Sequence, residues 1–298
     1  MTGPDSRGDG DGWIECGLGH RHWGLFGAAG LLLHRPGPGG PEVLLQHRAT
    51  WSHHGGTWGL LGGARHSDET AVSAALREAA EEGGLSPDGL EVQGRYDDDH
   101  GGWSYATALA AGTATTSARP TGGESIDVAW VPVDAVAEQD LHPGFGRSWP
   151  LLRLALGPVT LVVDAANVVG SRPDGWWRDR PGAARRLVAG CQELARNGVP
   201  GADLPGVVGR GLLTTVWPHV VVVVEGAARA VAHAGVSPPV SVVAAAGSGD
   251  DEVVDVAGDR RSEGPVIVVT ADRELRARVS EVGAAVVGPR WLTGRLPG

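Results

Sequence analysis

Glu69, Arg77, Glu78, Glu81 and Glu82 have the residue types and spacing that phosphoryl chemistry needs. On a helix turning about 100° per residue, Glu78, Glu81 and Glu82 share one narrow sector, and i, i+3, i+4 spacing makes them surface neighbours. Each like-charge pair on such a face costs a few tenths of a kcal/mol, roughly, and a face that served only solubility would intersperse basic residues. A divalent cation removes the repulsion. Hard oxygen donors of this kind suit Mg²⁺ or Mn²⁺, ions that also bind phosphate oxygens. Arg77 stands four residues before Glu81 and can steady it through a charge-assisted bond.

A second acidic set lies in the other half of the chain. Asp164 and Asn167 follow one apolar run, Asp250 and Asp251 follow another, and Asp272 follows a third. If these runs are parallel strands, the loops after their carboxyl ends converge on one sheet edge. The acids would then meet at a place that is electrostatically awkward without a metal ion. Glu225, after another run, could join them.

These residues must be positioned by regular elements. Ser67 is a sensible N-cap for a helix over residues 67–82, with Asp68 and Glu69 at its positive end. Val72, Ala75, Leu76 and Ala79 form the stripe that faces a core, and Gly83-Gly84 ends the helix. Strand patterns are expected over 27–33, 42–47, 90–96, 103–110 and 128–132. A Pro/Gly loop lies between the first two, Asp97, Asp98 and Asp99 form a hairpin loop, and a short helix covers 151–156. Near residue 157 the grammar changes. Short Val-rich runs at 160–163, 220–224, 240–244, 266–269 and 284–287 alternate with helical patterns at 182–196, 250–257 and 273–282. Runs buried on both faces with helices between them argue for a parallel sheet. The expected organisation is a disordered tail over 1–12, one domain over 13–157 and a second over 158–298.

The stretch GARHSDETAVSAALREAAEEGGL, residues 63–85, resembles the Nudix hydrolase signature: G, five residues, E, seven residues, then R-E-U-x-E-E-x-G-U, where U is aliphatic. Every fixed position matches. Ala79 is small at the first aliphatic position, and Leu61 stands where many members have Pro. The resemblance implies an α/β/α sandwich with a mixed sheet. It implies that Glu78, Glu81, Glu82 and the Gly63 carbonyl hold Mg²⁺ or Mn²⁺, with Glu69 and Arg77 in support. Water would attack a phosphorus of a nucleoside diphosphate linked to another moiety. Glu82 and Glu124 are alternative general bases. Substrate contacts are expected from Arg48 and Arg65 to phosphate and from Trp58 or Trp51 to a base, core packing being the competing role for each Trp.

The second half resembles the NYN branch of PIN-like nucleases, through the D-x-x-N at Asp164 and Asn167, the pair Asp250-Asp251 and the T-x-D ending at Asp272. That resemblance implies a Rossmannoid domain in which Asp164, Asp250 or Asp251, and Asp272 bind metal for phosphodiester hydrolysis, with Asn167 positioning. The neighbouring segment SRPDGWWRDRPGAARR sets Arg172, Arg178, Arg180, Arg185 and Arg186 around Trp176 and Trp177. Arginines and flat aromatic faces together suit single-stranded RNA; packing of the tryptophans on the sheet is the alternative. The whole chain thus reads as a fused pyrophosphohydrolase and ribonuclease, or as a nucleotide-sensing module that regulates an RNA-binding or nuclease domain.

The totals set outer limits. A length of 298 residues favours two domains, and a net charge of −10 makes the protein no general sponge for nucleic acid. All the basic residues are Arg. Two distant cysteines, Cys16 and Cys191, make no disulfide framework and fit a reducing cytoplasm. The N-terminus has no signal-peptide pattern, and the apolar runs are too short to span a bilayer. Cys16, His20 and His22, with His53 and His54 further on, fall short of four zinc ligands at settled spacing and are expected to pack as a leader under the first strand.

Overall fold

Leu31, Leu32 and Leu33 are all fully buried, although alternate residues of a strand point to opposite faces. Their strand must therefore be covered on both sides. It is β3 (Ala28–Gly37), flanked in a mixed sheet by β4 (Gly40–Arg48), β6 (Leu61–Ala64) and β8 (Ser104–Ala111). The computed structural model describes residues 8–173, 175–207, 209–233 and 238–296. It divides into two compact units: the chain up to Leu156 with Leu212–Thr214, and Gly157–Gly211 with the chain from Thr215 onward.

In the first unit, β3 runs parallel to β8 and antiparallel to β4 and β6. The Pro/Gly stretch expected as a loop is a tight hairpin, because Gly37 pairs with Gly40 and leaves two residues to turn. The two arms of this hairpin diverge. β6 pairs with the start of β3, and β5 (Trp58–Gly59) pairs with the end of β4. The chain at 58–64 thereby fills the opening, and it delivers Gly62 and Gly63 beside the helix that follows. β9 (Ser125–Pro132) covers the other edge of β4, and β7 (Glu91–Asp99) pairs with β8. Two short strands, β1 (Trp13–Glu15) and β2 (Arg21–Trp23), form a separate hairpin.

Helix α1 (Ala71–Gly83) packs Ala71, Ala74, Ala75 and Ala79 against Leu31, Leu33, Leu61 and Ala108, with Val72 and Leu76 at the margin. Small residues let helix and sheet approach closely. At Gly83 a β-carbon would stand 2.6 Å from the Leu61 Cδ1. Gly84 closes the helix in the left-handed region at φ 61°, donating to the carbonyls of Ala79 and Ala80.

Several element boundaries differ from expectation. The helix starts at Ala71, capped by Thr70, whose Oγ1 accepts from Ser73 N at 3.1 Å. Ser67 is not the cap: its amide and hydroxyl both donate to Asp9. Asp68 and Glu69 therefore precede the first turn. Residues 1–7 of the expected tail lie outside the described residues, whereas Gly10 and Gly12 accept from Leu25 and Gly24 and so are tied to the domain. Asp97, Asp98 and Asp99 end β7, and Asp99 pairs with Ser104, so the turn lies just beyond them. The closing helix α2 (Pro143–Leu152) begins before the expected 151 and runs into a 3₁₀ turn, Arg153–Ala155. Gly144, Gly146 and Pro150 hide it in the sequence, and the burial of Phe145, Trp149 and Leu152 overrides their poor propensity.

The second unit is a five-stranded sheet in the order β13-β12-β10-β14-β15, all parallel: β10 (Thr160–Asp164), β12 (His219–Val224), β13 (Val240–Ala244), β14 (Val266–Val269) and β15 (Ala285–Val287). A two-residue strand, β11 (Thr215–Val216), bridges back to Val199. Helices α3 (Ala165–Gly170), α4 (Arg180–Asn197), α5 (Gly249–Arg260), α6 (Arg273–Glu281) and α7 (Pro289–Thr293) lie between and after the strands. Continuous burial of Leu161, Val162, Val163 and of Val220 to Val224 follows from covering both faces, as the Val-rich runs implied.

Candidate active sites

Arg77 is the hub of the first site. Its Nε donates to Glu69 Oε1 at 2.6 Å, one terminal nitrogen reaches Glu78 at 2.9 Å and Glu81 at 3.0 Å, and the other reaches the Ala64 carbonyl at 3.0 Å. Glu69 also accepts from His66 N at 3.2 Å, which anchors the loop ahead of the helix. The guanidinium holds the Glu69 carboxyl below its ordinary range, and these bonds raise the Arg77 pKa.

Glu78 and Glu82 behave in the opposite way. Burial raises the pKa of both, Glu82 to about 7, and their mutual repulsion together with Glu124 adds to the rise at Glu82. Glu82 Oε2 accepts from Gly62 N at 3.1 Å. Glu78 lies over the loop so closely that a β-carbon at Gly63 would stand 2.6 Å from its Oε1. Arg77 thus bonds two of the three helix carboxylates, Glu78 and Glu81, while the partly buried Glu82 takes the Gly62 amide. The donor set fits a hard divalent cation, with Glu78 and Glu82 turned inward and Glu81 towards solvent at 59 % side-chain exposure.

A NUDIX domain profile matches residues 25–152. A Mycobacterium tuberculosis protein named "Putative 8-oxo-dGTP diphosphatase 3" is 49 % identical over 165 residues, covering 52 % of this chain and 75 % of the relative. The chain belongs to the Nudix family. A Bifidobacterium longum protein named "Nucleoside triphosphate pyrophosphatase/Nudix hydrolase fusion protein" is 42 % identical over 146 residues, covering 47 % of this chain and 30 % of its own. A solved Nudix hydrolase from M. smegmatis is 47 % identical, covers 49 % of this chain and 94 % of its own, and has a TM-score of 0.46. The first half is therefore a Nudix hydrolase, a diphosphate-bond hydrolase of a family that acts on nucleotide-type small molecules.

Around the Nudix glutamates lies a cavity of about 1200 Å³. Arg48, Trp51 and Glu124 line it together with Glu78, Glu81 and Glu82. Arg65 and Trp58, expected as substrate contacts, are not among its lining residues. Arg65 is turned to the Glu69 carbonyl at 3.1 Å, where it braces the loop. Trp58 stacks on His47 at 4.8 Å, opposite it in the β4–β5 pair, so its ring is spent on packing. Sequence reasoning missed His142, a cavity residue whose burial, with Arg48 and neighbouring histidines, lowers its pKa to about 4. It also missed Tyr105, a half-buried cavity residue whose hydroxyl needs the space left at Gly30: a β-carbon there would stand 2.1 Å from it. Neither residue sits in a motif, and only the folded sheet brings them near the box.

In the second unit, Asp164, Asn167, Glu225, Asp250 and Asp272 line a cavity of about 270 Å³ at the carboxyl ends of the strands. Asp164 accepts from Asn167 N at 3.0 Å and from Thr270 Oγ1 at 2.9 Å, while Asn167 Oδ1 accepts from Ala271 N at 2.8 Å. Glu225 accepts from Gly249 N at 3.0 Å, and Asp272 from Leu275 N at 2.9 Å. Burial raises the pKa of Asp164 and of Asp250, and at Asp250 the charges of Asp272 and Glu225 add to it. Asp251 is not part of the cluster. It lies one residue round the first turn of α5 and pairs with Arg278 at 2.6 Å.

Trp176 and Trp177 occupy a 3₁₀ turn, edge to face at 6.1 Å, with the Arg180 guanidinium 5.4 Å from the Trp176 ring centre. Trp177 is 57 % exposed. Arg178 and Arg180 are exposed too, whereas Trp176 is half-buried. Among the described residues no helix is long and apolar enough to cross a membrane.

Proposed function

We propose that the Nudix unit is a Mg²⁺-dependent pyrophosphohydrolase, acting on a nucleoside diphosphate linked to another moiety, and that 8-oxo-dGTP is the first substrate to test. The observation that carries this reading is the pair of half-buried carboxylates, Glu78 and Glu82, whose pKa burial raises, on the wall of a cavity large enough for a nucleotide. Glu78, Glu81, Glu82 and the Gly63 carbonyl would hold the ion, which when bound polarises phosphoryl oxygens and makes water more acidic. Arg77 and Glu69 fix the glutamates. Arg48 takes phosphate charge, and Trp51 offers a flat face to the base. Glu124 accepts the proton of the attacking water; the Glu82 carboxylate is already committed to the Gly62 amide. The name of the M. tuberculosis relative is the support for an oxidised purine.

The test is a panel of 8-oxo-dGTP, unmodified nucleoside triphosphates and nucleotide sugars with Mg²⁺. Release of a nucleoside monophosphate, abolished in Glu82→Gln, is expected. Tight binding of the panel without product would replace the enzyme by a sensor.

For the second unit we propose a PIN-like, metal-dependent nuclease. Asp164, Asp250, Asp272 and Glu225 would hold Mg²⁺ or Mn²⁺, with Asn167 positioning Asp164. The exposed ring of Trp177 and the charges of Arg178 and Arg180 would meet single-stranded RNA. Convergence of acids from separate strand ends on one cavity supports the reading. Labelled RNA with Mn²⁺ should be cut by the wild type and spared by Asp164→Asn; equal cleavage by both would defeat it.

A further inference from the structure

Cys16, His20 and His22 lie at one end of the β1–β2 hairpin. The fold brings His100, from the turn between β7 and β8, to the same place. One ligand atom from each of the four lies within 4.8 Å of all the others. Glycines shape the approach. Gly19 turns the hairpin at φ 77°, and Gly17 donates to the Gly101 carbonyl at 2.6 Å, which ties the hairpin to the distant turn.

Two of the imidazoles have buried nitrogens with no hydrogen-bond partner: His22 Nε2 and His100 Nδ1. A buried, unsatisfied polar atom costs about 1–3 kcal/mol, so two in one cluster call for an occupant. Each ring is already held by its other contacts. His22 stacks flat on Trp103 at 3.9 Å. His100 uses Nε2 on Asp98, at 3.3 Å. A carboxylate on one ring nitrogen fixes the tautomer that leaves the other nitrogen's lone pair free, which is how histidine ligands are oriented around metals. Cys16 is buried and in no disulfide, packed with Ala28 and Trp103.

We propose that Cys16, His20, His22 and His100 form a structural zinc site that pins the N-terminal hairpin to the β7–β8 turn. One thiolate and three imidazoles are a zinc donor set, and four protein ligands leave no open position for catalysis. With Zn–S about 2.3 Å and Zn–N about 2.0–2.1 Å, a tetrahedral ion sets donor separations of about 3.3–3.6 Å, within a small contraction of the cluster. The ion is distinct in chemistry from the cation expected at the glutamates, which offer oxygen alone. Its consequence is architectural: His20, His22 and His100 line the same cavity as Glu78 and Glu82, so the site would fix one wall of it.

The test uses the full chain, stripped with chelator and then titrated with Zn²⁺ or Co²⁺ in excess Mg²⁺. About one tightly held Zn²⁺ per chain is expected, surviving in Glu82→Gln and lost in Cys16→Ser and His100→Ala. The Co²⁺-loaded wild type should show a thiolate-to-cobalt charge-transfer band in the near ultraviolet, which neither the glutamates nor the nitrogen-only trio His53, His54 and His142 can give. Because this readout needs only wild-type protein, misfolding of a variant does not blunt it. Absence of the band, or zinc retained in full by a folded Cys16→Ser, overturns the proposal.

Discussion

At the scale of single residues, Glu82 makes the sharpest prediction. Its pKa is raised from 4.5 to about 7 by burial and by Glu78. A carboxyl with a raised pKa in the folded state holds a proton that the unfolded chain has released. Its stabilising share is therefore complete below about 4.5 and disappears as pH rises through 7. In chelator, the wild type should lose stability across that window, by on the order of 2–3 kcal/mol, and Glu82→Gln should not. Thermal melts at pH 5, 6, 7 and 8 would show it; parallel curves for the two proteins would refute it. With Mg²⁺ the trend reverses in affinity: protons compete for the same oxygens, so the Mg²⁺ concentration needed for half-maximal turnover rises as pH falls below 7. Trp51 makes a separate prediction. It is 70 % exposed on the cavity wall, so Trp51→Ala should raise KM by about 5- to 50-fold while kcat changes little, the size of a lost base stack.

At the scale of elements, the loop ahead of α1 matters as much as the helix. Gly63→Ala would drive a methyl group into the Glu78 carboxylate. Turnover should fall on the order of 100-fold, the usual penalty for an ångström of misplacement, with a small change in Tm. Thr70→Ala should do the reverse, lowering stability by about 1 kcal/mol through the lost cap and leaving turnover near wild type. Legibility in the sequence follows the same division. The clustering of the glutamates with Arg77 could be read because it follows from spacing along one helix, and the Val runs could be read because double-sided burial writes itself as continuous apolar sequence. The helix start could not, since Ser67 and Thr70 are both competent caps and Asp9, far away in sequence, decides between them. Trp51 and Trp58 are equally aromatic; only the pairing of β5 with β4 shows that one packs and one faces the cavity. Asp250 and Asp251 differ by one position on α5, and Arg278 claims the second. His100 was illegible as a partner of Cys16 because the contact closes across most of the unit.

At the scale of the whole molecule, each acidic site is built within its own unit. The two proposed activities should therefore separate by mutation. Glu82→Gln is expected to abolish nucleotide hydrolysis and leave RNA cleavage within about two-fold of wild type, and Asp164→Asn to do the converse, as independent sites do. Assaying both substrates on both variants checks this, and loss of both activities in either variant would show that the units depend on each other.

The bond from the Gly62 amide to Glu82 has one more use. A peptide N–H that donates to a titrating carboxylate feels every change of charge on it. In nitrogen-15-labelled protein the Gly62 resonance becomes a native reporter: it should shift with a midpoint near pH 7 in chelator, and lose that midpoint once the ion is bound. Occupancy of the proposed metal site could then be followed on a backbone atom, with no substrate present and nothing attached to the chain.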